Sequence, residues 1–149
     1  MDVGGTLVPP KPSSPTVCFI LGLAASGKSH LGDEMKKVGW SHHFDENFEP
    51  GQKAELIRRL QEGQSCSVSE STYSTRPNRK VMLAWLLAAV PEVKVMWICF
   101  ENDLATANWN CHRRTDKGDP VGHQEINNGL HNCYTYPEEA EVRSIYRLP

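Results

Sequence analysis

The sequence lacks a marked excess of charge of either sign. Its 149 residues contain 16 Lys and Arg against 18 Asp and Glu, which gives a formal net charge of −2. Proteins that bind long nucleic acids through their overall charge neutralise many phosphates with cations. The composition therefore excludes a polybasic nucleic-acid binder of that kind, although basic side chains can still be concentrated locally.

Long apolar runs and paired cysteines are missing as well. No stretch approaches the ~18 consecutive apolar residues of a membrane-spanning helix, and the first residues lack the charged-then-apolar pattern of a secretory signal. The cysteines number five, and none of them forms a C-x-x-C pair. An odd set of unpaired thiols is typical of a reducing compartment. We therefore expect a cytoplasmic protein that makes no contact with a membrane.

The first fifteen residues differ in composition from the rest of the chain. Residues 1–15 contain four prolines and two glycines, with few side chains that can pack, which predicts a flexible N-terminal arm. From residue 16 to residue 149, apolar runs of strand length alternate with segments of helical spacing. This alternation predicts one α/β domain, with a parallel sheet covered by helices on both faces.

The apolar patterns give bounds for most elements of that domain. The polar segment over 112–122 is predicted to be a mobile lid. A further helix is predicted after it, because Ile126, Leu130, Cys133 and Tyr134 follow at helical spacing. The predicted strands cover 17–21, 41–44, 66–69, 94–100 and 142–146. The predicted helices cover 28–38, 52–62, 76–90 and 104–111.

A glycine-containing segment lies between the first strand and the first helix. Residues 22–29 read GLAASGKS, which fits the phosphate-loop pattern G-x-x-x-x-G-K-[ST] in full. The two glycines let backbone N–H groups turn inward around a phosphate, while the lysine reaches the β- and γ-phosphates and the serine hydroxyl ligates Mg²⁺. We predict that ATP binds at Gly22, Ala25, Ser26, Gly27, Lys28, Ser29 and His30.

Two large classes of phosphate-loop proteins lack their other signatures here. GTPases need an N/T-K-x-D segment, and the only Lys-x-Asp of this chain, at 117–119, lies in the polar segment. Motor and AAA-type ATPases end a strand in Asp-Glu, whereas the third strand here is followed by Glu70 between two serines. The remaining class contains compact kinases of small molecules or polynucleotides, whose lids carry arginines, and Arg113 and Arg114 fit such a lid.

Four features of the chain together resemble one branch of the phosphate-loop kinases. They are the phosphate loop, Asp45 after the second strand, Glu70 and the lid over 110–120. This branch includes polynucleotide 5′-hydroxyl kinases and zeta-toxin-like kinases, and the resemblance covers residues 17–136. It implies a fold of about five parallel strands in the order 2-3-1-4-5, with ATP and Mg²⁺ as ligands. The chain departs from the branch at Glu70, where its members usually carry aspartate.

The resemblance also implies roles for individual residues. An acid at the position of Asp45 accepts the proton of the attacking hydroxyl, and an arginine matching Arg113 or Arg114 holds the transferring phosphates. The residues themselves support these roles, because the carboxyl ends of parallel strands face the ligand crevice. Three alternatives stay open: Asp45 is a helix cap, Glu46 is the base, or the two arginines belong to a solvated basic turn.

Further charged residues lie at the same predicted edge of the sheet. Glu70 is placed to hold a water bound to Mg²⁺, or else it is a solvated acid at the end of a strand. Arg76 and Arg79 begin a helix there and are placed to hold an anionic acceptor, although surface ion pairs explain them nearly as well.

We therefore predict an ATP-dependent kinase. Its leading acceptor is a polynucleotide 5′-hydroxyl or a nucleoside-like hydroxyl, reached through a short and local contact. Two alternatives stay open: a kinase of small metabolites, and a nucleotide-binding switch module with negligible phosphate transfer.

Overall fold

The computed structural model describes residues 8–45, 50–114 and 119–149. Its strands are β1 (Thr16–Leu21), β2 (His42–Phe44), β3 (Cys66–Ser69), β4 (Lys94–Phe100) and β5 (Glu141–Arg143). Its α-helices are α1 (Lys28–Lys37), α2 (Pro50–Gln61), α3 (Arg76–Ala89), α4 (Leu104–Arg113) and α5 (Pro120–His131), and a 3₁₀ helix covers Ser71–Ser74.

The five strands form one sheet in the order β2-β3-β1-β4-β5. Every neighbouring pair runs parallel, so the predicted fold class and strand order are confirmed. The central strand β1 is buried along its whole length, as its continuous apolar run predicts for a strand covered on both faces. Because all strands point the same way, the segments that follow β1, β2 and β3 meet at one edge of the sheet.

Alternate side chains of β1 enter two separate cores. Val17, Phe19 and Leu21 pack with apolar side chains of α2 and α3 on one face of the sheet. Cys18 and Ile20 pack on the other face, where α1 and α4 contribute their buried side chains. The two-residue period of a strand makes this division, and β1 is therefore held rigidly between both helix layers.

The largest differences from the predicted elements lie after α4. The helix α5 already begins at Pro120, where the side chain of Asp119 accepts a hydrogen bond of 3.0 Å from the backbone N–H of Gly122. Ile126 is 57% exposed, so the predicted apolar face of this helix is wrong at that position. Cys133 and Tyr134 follow the end of α5, and β5 is shorter than predicted.

Part of the predicted N-terminal arm packs on the domain. The indole N–H of Trp40 donates a hydrogen bond of 2.9 Å to the carbonyl of Pro9, and Val8 contacts the core beside α1. Residues 1–7 lie outside the described residues. Across the described ranges, no helix has the length and apolar character that crossing a membrane requires. All five cysteines are free thiols, and the cytoplasmic location stays a prediction.

Candidate active site

The loop between β1 and α1 has the backbone that the glycine pattern predicts. Gly22 and Gly27 have φ angles of 156° and 110°, which glycine adopts without a steric penalty. A Cβ atom on Gly22 would lie only 2.6 Å from the hydroxyl oxygen of Ser26. That hydroxyl is buried and has no hydrogen-bond partner among the described residues. A closed loop with an unpartnered donor inside it fits a bound anion.

Lys28 supplies a positive charge to the loop. Its side chain is 5% exposed, and the ammonium donates hydrogen bonds to the carbonyls of Gly22 and Leu23 at 3.1 and 2.8 Å. Because Lys28 is also the first residue of α1, its charge adds to the partial positive charge of the helix N-terminus. The arrangement can bind the phosphates of a nucleotide.

The structure brings Ser29 and Asp45 together. The hydroxyl of Ser29 donates a hydrogen bond of 2.9 Å to a carboxylate oxygen of Asp45, although 16 residues separate them in the chain. Asp45 follows β2 directly, and β2 ends level with Val68 of β3. The predicted metal ligand and the predicted base are therefore neighbours, and hydroxyl and carboxylate oxygens are ligands that Mg²⁺ accepts.

Glu70 lies beside the start of the phosphate loop. Ser69 pairs with Ile20, so Glu70 comes level with the last residue of β1. One carboxylate oxygen of Glu70 accepts a hydrogen bond of 3.3 Å from the backbone N–H of Thr72 and caps the 3₁₀ helix. Its role in holding a metal-bound water stays a prediction. Within the described residues, no group of three or more His, Cys, Asp or Glu side chains is arranged to hold a metal ion.

His43 links β2 to β3 next to Asp45. The sequence patterns did not identify it as a residue of the site. Its ring nitrogens lie 2.7 Å from the hydroxyl of Ser67 and 3.1 Å from that of Ser69. Gly32 of α1 leaves the space for the ring, since a Cβ atom there would lie 2.1 Å from it. Burial lowers the pKa of His43, and the Asp45 carboxylate partly opposes that shift. The ring thus holds β2, whose end carries Asp45.

The first of the two lid arginines contacts an aromatic ring. The guanidinium carbon of Arg113 lies 4.1 Å from the ring centroid of Trp109, and that of Arg147 lies 4.2 Å from the same ring. The indole N–H of Trp109 donates to the carbonyl of Leu148 at 2.8 Å. Arg113 is therefore engaged in a cation–π contact at the C-terminal segment.

Arg114 follows α4 directly and contacts α5. Its guanidinium is 2.8 Å from a ring nitrogen of His123. The buried thiol of Cys111 lies 3.8 Å from the carbonyl of Ala24 in the loop. Burial raises the pKa of this thiol, and the positive charges of Arg114 and Lys28 both oppose the rise. Of the two predicted lid arginines, Arg114 thus contacts α5 through His123 and acts electrostatically on the Cys111 thiol.

The predicted acceptor arginines differ from each other. Arg76 is exposed at the first turn of α3. Arg79 is 6% exposed and donates to the carbonyls of Tyr73 and Thr135 at 3.0 and 2.9 Å and to the hydroxyl of Thr135 at 2.9 Å. These bonds give Arg79 a structural role, and its contact with an acceptor stays a prediction. His30, a predicted nucleotide contact, is exposed in the first turn of α1.

Two buried asparagines contact the loop from α4 and α5. Asn110 and Asn127 are 2% and 0% exposed, and both make hydrogen bonds to loop backbone groups. No pattern in the sequence distinguishes them from the other asparagines of these helices, because Asn is usually an exposed residue.

Comparisons with known proteins agree with this architecture. No protein-family model and no curated protein matches the sequence. A gluconokinase from Sinorhizobium meliloti 1021 superposes with a TM-score of 0.55 at 13% identity, over 93% of this chain and 86% of that chain. The protein APE1195 gives a TM-score of 0.52 at 15% identity, over 91% of this chain and 87% of that chain. The chain shares with these structures the fold described above, a five-stranded parallel sheet in the order 2-3-1-4-5 flanked by helices. At these identities the similarity concerns the fold alone.

Proposed function

We propose that this protein is an ATP-dependent kinase that transfers the γ-phosphate to a hydroxyl group. The contact between Ser29 and Asp45 carries the proposal, because it sets a carboxylate 2.9 Å from the hydroxyl of the phosphate loop. A carboxylate beside a polyphosphate site is suited to receive the proton of an attacking hydroxyl.

The chain's own residues account for each part of the transfer. The loop backbone and Lys28 hold the phosphates, and Arg114 adds positive charge from the lid side. The acceptor oxygen forms a bond to the γ-phosphorus while the bond from that phosphorus to the β–γ bridging oxygen breaks, and the hydroxyl proton passes to Asp45. The products are ADP and the phosphorylated acceptor.

The residues present also fit a magnesium ion. The hydroxyl of Ser29 would hold it, and the carboxylate of Asp45, 2.9 Å from that hydroxyl, would bind one of its waters. Glu70, directly after the adjacent strand β3, is a second candidate for holding a water. A bound Mg²⁺ neutralises charge that develops on the phosphate oxygens.

For the acceptor, we propose a small hydroxyl compound. Arg79 is used within the fold, which leaves Arg76 as the exposed member of the predicted arginine pair. The net charge of −2 gives no general attraction for a long polyanion. The similarity in fold to a gluconokinase agrees with a small acceptor. A polynucleotide 5′-hydroxyl is the second candidate, because Asp45, Glu70 and the lid resemble the polynucleotide kinases.

The test is transfer of label from γ-labelled ATP to a panel of sugars, sugar acids, nucleosides and 5′-hydroxyl oligonucleotides. We expect labelling of a small hydroxyl compound, and a loss of about 10²- to 10⁴-fold in kcat for Asp45→Asn with ADP binding retained. The matched control is Asp33→Asn, which changes an exposed carboxylate of α1. Labelling of oligonucleotides alone would favour the second candidate. Binding of ATP with no labelled acceptor would support a switch module.

A further inference from the structure

One residue of the phosphate loop is held at both of its backbone polar groups by a distant side chain. The side-chain oxygen of Asn127 accepts a hydrogen bond of 2.6 Å from the N–H of Ala24, and its amide nitrogen donates to the carbonyl of Ala24 at 3.1 Å. The two residues are 103 positions apart in the chain. Asn127 is fully buried on α5, so bulk water does not compete for these bonds in the folded chain.

The next residue of the loop is held from α4. The amide nitrogen of Asn110 donates to the carbonyls of Ala25 at 3.2 Å and Tyr146 at 2.8 Å, and its oxygen accepts from the N–H of Leu148 at 2.9 Å. Ala25 has a φ angle of 66°, a left-handed conformation that persists in a non-glycine residue only where its surroundings enforce it. The asparagine supplies such a contact at the strained position.

The helices that carry these asparagines are also bonded to each other. Asn127 donates to the side-chain oxygen of Asn108 at 3.2 Å, and Asn108 donates to that of Asn128 at 3.1 Å. A ring nitrogen of His112 lies 2.6 Å from the side-chain oxygen of Gln124. Since α4 precedes and α5 follows the predicted lid segment, the loop is tied to both ends of that segment.

We propose that Asn127 and Asn110 are positioning residues that hold the phosphate loop in its nucleotide-binding conformation and couple it to α4 and α5. This inference rests on the proposed function, in that the loop must bind a nucleotide. When a binding conformation is only partly populated, the apparent affinity falls by the populated fraction. Removal of the clamp releases Ala24 and Ala25, and bound nucleotide must then order the loop again.

The test compares Asn127→Ala and Asn110→Ala with the wild-type chain. Calorimetry with ADP, at a temperature where all variants are folded, should give a dissociation constant raised about tenfold, because a buried hydrogen-bonding group without its partner costs about that factor. Hydrogen exchange of the ADP-free proteins should be faster in peptides that contain residues 22–27, and unchanged in β1 and β4. The matched control is Asn132→Ala, an exposed asparagine after α5 whose side chain donates to the backbone carbonyl of Asn128 and takes no part in the bonds between α4, α5 and the loop.

A merely structural role predicts a different result. It lowers the unfolding temperature of Asn127→Ala but leaves the dissociation constant of the folded protein within about twofold; that result, or loop exchange at the wild-type rate, overturns the proposal. Asn110→Ala repeats the test from the other helix where Asn127→Ala does not fold. If the wild-type chain binds no ADP, the proposed function fails, while the exchange measurement still decides whether the asparagines hold the loop.

Discussion

The two sides of the candidate active site are built in different ways. On the nucleotide side, each described loop residue from Gly22 to Ala25 accepts a hydrogen bond at its carbonyl from a buried side chain: Lys28, Asn127 or Asn110. On the acceptor side, Asp45 and Glu70 end strands, and the exposed Arg76 begins α3. The nucleotide side is fixed by groups that water does not reach, whereas the acceptor side is composed of strand ends and a helix start.

This difference explains why the fold suggests a phosphate donor more firmly than an acceptor. A polyphosphate is bound by backbone N–H groups and one lysine, which any chain with this loop supplies. An acceptor is selected by side chains at the strand ends, which differ from one protein to another within a fold. Changes on the nucleotide side, or at the proposed base Asp45, should therefore reduce activity with every acceptor. Changes elsewhere on the acceptor side should alter the choice of acceptor.

On the nucleotide side, the largest effect is expected for Lys28→Ala. Lys28 is the lysine that the structure places inside the loop, and removal of one preorganised charge from developing phosphate charge costs about 10²- to 10³-fold in kcat. Initial rates with each labelled acceptor measure the loss, which should be the same for all of them. Lys36→Ala, at an exposed position in the last turn of α1, is the control. Turnover of Lys28→Ala at the wild-type rate would remove the phosphate-loop argument.

Much of the nucleotide side was predictable from the sequence. The apolar run of β1, the glycine spacing and the amphipathic α1 are local patterns, and the structure places the loop between that strand and that helix. The contact between Ser29 and Asp45 also follows, because parallel strands bring their carboxyl ends to one edge. These features depend on residues near one another in the chain or on the direction of the strands.

The residues that sequence patterns missed act over long distances. The apolar pattern of α5 predicts that Ile126 faces the core. The structure buries the neighbouring Asn127 instead, because Asn127 makes its hydrogen bonds to the loop from that position. In the sequence, nothing distinguishes Arg79 from a surface arginine. Its hydrogen-bond partners, Tyr73 in the 3₁₀ helix and Thr135 after α5, come within reach only once the chain is folded. A buried polar residue is recognised by its partners, which composition and spacing do not show.

The next effect separates the two lid arginines. In the proposed transfer, Arg114 adds positive charge at the phosphates. Arg114→Ala should therefore lower kcat by about 10²-fold and change the KM for ATP much less, as expected of a group used in the transition state. Arg113→Ala removes an exposed cation–π contact worth about 0.5–1 kcal/mol and should change kcat less than about fivefold. Steady-state kinetics of both variants makes the comparison. The reverse order would assign the transfer role to Arg113.

A smaller effect tests the acceptor side through Arg79 and Arg76. Arg79→Ala leaves the carbonyls of Tyr73 and Thr135 without their donor and should lower the free energy of unfolding by about 1–3 kcal/mol. Arg76→Ala changes an exposed residue and should shift it by less than about 0.5 kcal/mol. Urea unfolding measures both. Equal stability of the two variants would contradict the structural role given to Arg79.

Arg76 also discriminates between the proposed acceptors. If a 5′-hydroxyl oligonucleotide binds there, each phosphate contact contributes about 0.7 to the slope of log affinity against log salt for a single strand. Arg76→Ala should then reduce that slope by about 0.7. A small uncharged acceptor predicts a slope near zero in the wild-type chain and no change in the variant. Oligonucleotide titrations at several salt concentrations decide between the two.

The smallest effect concerns pH and His43, whose ring supports the strand that ends at Asp45. Burial lowers its pKa from the ordinary value of 6.5, and the nearby charges of His42 and Lys36 act in the same direction, while Asp45 and Asp33 oppose it. Below pH 6.5 the unfolded chain therefore binds a proton at this residue more readily than the folded chain does. The free energy of unfolding should fall as the pH is lowered from about 6.5 toward the depressed pKa of the folded state. Thermal unfolding at pH 7 and pH 5 should show a smaller fall for His43→Gln than for the wild-type chain. The control His30→Gln changes an exposed imidazole in the first turn of α1 and should keep the wild-type fall. The same pH dependence in the wild type and in His43→Gln would show that burial of the His43 ring does not set it.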